Sequence, residues 1–134
     1  MDTLRCVVVK KSGMNMEYHR ERLQWALQAL ALPAQAQRRL FPPEVCVPDE
    51  LVLNFDEHWH HVDDLAQDQM NALVRLDEVI NHWSGIQHPD VWEDAALDSH
   101  HVWFEFRALA QEALRAFDWP VEEPPPDPGK IYVV

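Results

Sequence analysis

Apolar residues recur three and four positions apart over three stretches of the chain, and each stretch runs into a helix stop. Over residues 16–32, Leu23, Ala26, Leu27 and Leu30 keep helical spacing among good helix formers, and Pro33 ends the run. Over residues 68–83, Met70, Leu73, Leu76, Ile80 and Trp83 fall on one face, and Ser84-Gly85 supplies the C-terminal stop. A last helix starts at Asp98 or Ser99 and runs to about Phe117. It buries Val102, Phe106, Leu109, Ala113 and Phe117, and Pro120 closes it. Shorter helices are expected over 34–40, over 55–65 with Asp56 as N-cap, and over 89–97 with Pro89 in the first turn.

The remaining apolar segments are short and β-branched. Residues 4–9 read as a strand, and its candidate partners are 45–47, 51–55 and 130–134, although the last five residues read equally well as a tail. Pro42, Pro43 and Pro48 hold a connector extended, and residues 122–129 read as a polyproline-like spacer. The expected fold is therefore mainly α. It is a compact bundle of four to five helices, with a small two- or three-stranded sheet drawn from the N-terminus, residues 45–55 and the C-terminus. With 134 residues the chain suits a single domain, 1–134, with a Pro-rich extended segment at 120–129.

Charge adds what periodicity leaves open. Net charge is -12, which repels phosphates and disfavours direct nucleic-acid binding. Its layout is uneven: residues 1–39 hold seven Lys or Arg against three acids, and the rest holds four against twenty. Such asymmetry suggests a partner for the acidic part. No apolar run has the length of a membrane span and the start lacks a basic, then apolar, leader pattern, so a cytoplasmic protein is expected. Cys6 and Cys46 lie in short apolar segments and read as buried reduced thiols.

Seven histidines (His58, His60, His61, His82, His88, His100 and His101) lie among the carboxylates of the acidic part. Glu57 and His60 are three apart, as are Asp98 and His101, a spacing that metal sites in helical bundles use. Asp77 or Glu78 adds one further ligand, which leaves such a site short, and no zinc motif is present. Three glycines, no phosphate loop and no nucleophile elbow argue against an enzyme, and no catalytic residue or cofactor is expected.

Aromatic and acidic residues point instead to binding. Trp59, Trp83, Trp92 and Trp103 stand at helix ends or first turns beside acids or His. Trp83 and Phe106 are expected in the core, and Trp59 and Trp92 partly exposed. Asp56, Glu57, Asp63, Asp64, Asp68, Asp90, Glu93, Asp94 and Asp98, together with Trp59 and Trp92, form the expected partner-binding set. Leu51-Val-Leu-Asn-Phe55, Leu73-Val-Arg-Leu-Asp77, Trp83-Ser-Gly85, Val91-Trp-Glu-Asp-Ala-Ala-Leu97 and the run from Trp103 to Leu114 resemble small acidic immunity proteins of bacterial polymorphic-toxin and contact-dependent inhibition systems. The resemblance covers the last two thirds of the chain. It implies an inhibitor of one cognate toxin, with no catalytic residues to carry over. From the charge, that toxin is expected to be basic, a nuclease by preference. The alternatives are a DNA mimic or anti-defence regulator that binds a nucleic-acid-binding protein, and a His/carboxylate metal-binding protein.

Overall fold

The computed structural model describes residues 12–126, with side chains from residue 16 onward. Helix α1 spans Ser12–Leu30, α2 Ala34–Arg39, α3 Val47–Trp59, α4 Gln67–Trp83, α5 Ala96–Ser99 and α6 His101–Ala116, with a 3-10 turn at Pro89–Trp92. Helix α1 packs against both α3 and α6, and α6 packs against α4. Helices α3 and α4 complete the ring, but they meet along a thin seam. None of the described helices is long and apolar enough to cross a membrane.

The second half of α1 is buried on nearly every side because three partners surround it. Leu23, Ala26, Leu27 and Leu30 are fully enclosed, and Trp25 and Gln28 are buried as well. The third partner is the proline-rich segment. Trp25 Nε1 donates to the Pro125 carbonyl at 2.7 Å and Gln28 Nε2 to the Pro120 carbonyl at 3.0 Å. Residues 120–126 are thus a strap across α1 rather than a spacer. Proline suits this role because it has no N–H to leave unpaired and fixes the chain extended.

Residues 45–55, expected to hold a strand, are helical from Val47 onward, and the described residues contain no strand. Pro48 occupies a first-turn position, where its missing N–H is harmless, and Asp49 and Glu50 complement the helix dipole. Val47, Leu51, Phe55 and His58 are buried at spacings of four, four and three, so the helical period prevails over β-branched content. Asp56 is consequently inside α3 rather than its N-cap, and α3 stops at Trp59 rather than near residue 65. The expected strands at 4–9 and 130–134 lie outside the described residues.

Smaller corrections have local causes. The helix expected over 89–97 divides into the 3-10 turn and α5. Helix α6 is capped by His100 rather than Asp98 or Ser99: His100 Nδ1 accepts from the Val102 N–H at 3.2 Å. Met70 is 38% exposed because the core stripe of α4 runs through Ala72, Leu73, Leu76 and Ile80. Trp83 is half-buried, with its ring against His88, His100 and His101, and Trp103 takes the central position. Trp103 is fully enclosed and satisfies its indole N–H on the Val91 carbonyl at 2.8 Å. Cys46 is exposed rather than buried, since it sits just ahead of α3, and Cys6 lies outside the described residues.

Helix α2 ties the bundle together with two adjacent residues. Gln37 is buried and donates to the carbonyls of Ala29 and Leu30 at the end of α1, 3.1 Å each. Its Oε1 accepts from Arg107 Nη2 of α6. Arg38, facing outward, grips Asp94 and Asp98.

Candidate functional site

The seam between α3 and α4 gathers exposed carboxylates, an indole and exposed aliphatic side chains. Asp49, Leu53, Asp56 and His60 follow one another at spacings of four, three and four, which aligns them along one edge of α3. Leu53 is 51% exposed on that edge. Across the seam, Trp59 Nε1 donates to Asp77 Oδ1 at 3.2 Å, and Asn81 Nδ2 donates to Asp77 Oδ2 at 3.0 Å. Both oxygens of Asp77 are therefore held in place. His60 Nε2 lies 3.5 Å from Asp56 Oδ1, and Asp56, His60 and Asp77 each offer a ligand atom within 4.8 Å of the others. The sequence pairing of Glu57 with His60 is thus replaced by Asp56 with His60, because His60, the C-cap of α3, lies one turn beyond Asp56 on the seam-facing edge.

One turn toward the start of α3, the seam opens into a cavity of about 310 Å³ lined by Asp49, Val52, Leu53, Ser84, Gly85 and Trp92. Gly85 shapes it: its φ of +105° turns the chain away from α4, and a side chain there would come within 3.2 Å of Gln87 Oε1. Trp92 forms a fixed wall. Its indole N–H donates to the Trp83 carbonyl at 3.0 Å, and its ring meets Trp103 edge-on at 6.0 Å. Ile86, beside Gly85, is 94% exposed.

The expected partner-binding residues divide into two sets. Asp56, Glu57, Asp63, Asp64 and Asp68 are exposed, and among the described residues none forms an ion pair with Lys or Arg. Trp59 and Trp92 are half-buried, each with its N–H directed inward. Residues 90–98 are different. Asp90 lies 3.1 Å from His100 Nε2, while Arg38 holds Asp94 at 2.9 Å and Asp98 at 2.7 Å. Hydrogen bonding to Arg38 keeps the Asp98 carboxyl below its ordinary value of 3.8. Glu93 is exposed, but this region spends two of its carboxylates on the fold.

A second histidine group joins α1 to the end of α3. His19 Nδ1 and His58 Nδ1 are 2.8 Å apart and share one hydrogen bond, and the His61 ring stacks on His19 at 4.4 Å. Tyr18 packs edge-on against both His19 and His58. Burial first, then the neighbouring His61, lowers the pKa of His19 from 6.5, and Glu57 opposes that shift. His19 lies outside the acidic part and escapes a reading that groups histidines by sequence.

No protein-family model, no curated protein and no solved structure matches the chain.

Proposed function

We propose that the protein is an immunity-type inhibitor that binds a basic toxin domain, a nuclease by preference, and blocks it by occupying its cationic surface. The observation that carries this reading is the set of five exposed carboxylates over residues 56–68, none of which forms an ion pair with a Lys or Arg of the described residues, Arg20 Nη2 meeting the Asp63 backbone carbonyl at 3.4 Å instead. A concentration of charge of one sign on one stretch steers an oppositely charged partner and is screened by salt. The exposed aliphatic side chains along the seam add the apolar contact that affinity requires, since charge chiefly sets rate and selectivity. Asp94 and Asp98 stabilise the fold through Arg38, so the docking face is centred on α3 and the start of α4. Co-expression with the polypeptide encoded by the adjacent gene tests the reading: the inhibitor should restore growth to cells that this polypeptide poisons. Unrelieved poisoning would count against it.

The convergence of Asp56, His60 and Asp77 favours a second reading, in which the seam holds a divalent cation. Elemental analysis of protein purified without an affinity tag checks this. One equivalent of metal supports it, and a substoichiometric trace removes it.

A further inference from the structure

We infer that the cavity between Asp49 and Trp92 receives a single arginine side chain from the partner protein, an inference that rests on the inhibitor reading for the identity of that partner. Three features of the cavity define its occupant. At about 310 Å³ it lies at the lower end of ligand-site volumes, which suits one side chain better than a helix or a cofactor. Its walls are the aliphatic Val52 and Leu53 and the indole of Trp92, surfaces on which an arginine stem packs and a guanidinium stacks. Asp49 is the charged residue of the lining, and it forms no ion pair among the described residues.

The surroundings have the same sign. Asp56 follows Leu53 along the same edge of α3, so the mouth of the cavity carries carboxylates before and after the exposed leucine. An apolar occupant would leave Asp49 beside a desolvated surface without a counter-charge, which costs free energy, and an acidic one would be repelled. The arginine combines an apolar stem with a head that matches the carboxylate geometry. The walls are also preorganised. Trp92 is pinned by the Trp83 carbonyl and backed by Trp103, and the turn at Ser84 and Gly85 is fixed by the Ser84 hydroxyl donating to the Ile80 carbonyl at 2.8 Å. Little ordering entropy is then lost on binding.

The test is a titration of isotope-labelled full-length protein with N-acetyl-arginine amide, read by the NMR signals of the Trp92 indole and the Gly85, Val52 and Leu53 amides. N-acetyl-citrulline amide, which has the same shape without the charge, serves as the comparison. Saturable shifts at these signals are expected, with apparent affinity at least about fivefold weaker for the citrulline amide and for Asp49→Asn. Asp49 is exposed, so its replacement preserves the fold while removing one charge from the first turn of α3, as a far-ultraviolet circular dichroism spectrum matching the parent's would verify. Absence of shifts at these signals, shifts spread evenly over the surface carboxylates, or equal binding of the citrulline amide overturns the inference. The titration needs no toxin. Its failure leaves the inhibitor reading standing, whereas failed growth rescue with a positive titration removes the partner and keeps the ligand chemistry.

Discussion

Gln37 and Arg107 meet in the interior, where Arg107 Nη2 donates to Gln37 Oε1 at 2.9 Å and to the Leu97 carbonyl at 2.6 Å. The same glutamine is fully buried, and its amide N–H groups close the end of α1. One side chain therefore joins α1, α2 and α6. Desolvation lowers the pKa of Arg107, with Asp98 opposing that effect, and its Nε lacks a partner among the described residues. The guanidinium is held in place by the acceptors that Gln37 and Leu97 supply.

Replacing Gln37 with Ala strands the Leu30 carbonyl and one guanidinium donor in a buried space, while the Ala29 carbonyl keeps the Leu32 N–H at 3.3 Å. Each such group costs about 1–3 kcal/mol, so urea denaturation should register a loss of at least about 2 kcal/mol. A loss below about 1 kcal/mol would show that the network is dispensable.

The pair of Arg38 with Asp98 makes an acid-dependent contribution of known sign. Because the folded carboxyl lies below 3.8, its stabilisation is complete above that value. It disappears as pH falls from 3.8 through the lower folded value. Thermal midpoints followed through this range should fall less steeply in Asp98→Asn, which starts from a lower midpoint, than in the parent. Parallel curves would contradict the assignment.

For His19 the sign follows from a lowered histidine pKa. As pH drops below 6.5 the unfolded chain takes up a proton that the folded ring resists, so stability falls until the lower folded value is reached. Tyr18, His58 and His61 face the ring, with Glu57 opposing the shift. His61→Asn removes one source of repulsion and should flatten the change in thermal midpoint between about pH 7.5 and pH 5. A change as steep as the parent's would place the pH dependence elsewhere.

How legible this was depended on the range of the interactions involved. Helix α4 and its stop at Ser84-Gly85 were readable because Leu73, Leu76 and Ile80 carry a local period. Helix α3 was not, since Val45, Val47 and Leu51 to Phe55 have β-like composition, and Pro48 suits a connector as well as a first turn. That misreading hid the edge formed by Asp49, Leu53, Asp56 and His60, which exists only if residues 47–59 are helical. Contacts made across long separations were also hidden. Arg38 reaches Asp94 and Asp98, Arg39 reaches Glu123, and Gln37 reaches Arg107. The cationic start and acidic remainder held the hint: opposite charges in two parts of one chain can pair internally before they reach a partner.

That division of the acids can be separated experimentally. Changing Asp56, Asp63, Asp64 and Asp68 together to Asn should slow association with the adjacent gene's polypeptide by at least about tenfold at low salt and flatten its salt dependence. The thermal midpoint should barely change. Asp94→Asn with Asp98→Asn should do the reverse, lowering the midpoint through loss of the Arg38 contacts. Identical effects of the two sets would refute the separation of docking from folding carboxylates.

The most direct test of the central claim is calorimetric titration of the protein with the polypeptide encoded by the adjacent gene, with that polypeptide's toxic activity assayed in the same samples. One-to-one binding on the order of nanomolar, with activity abolished at equivalence, is the predicted result. Absence of heat and undiminished activity at a severalfold excess would contradict the inhibitor reading.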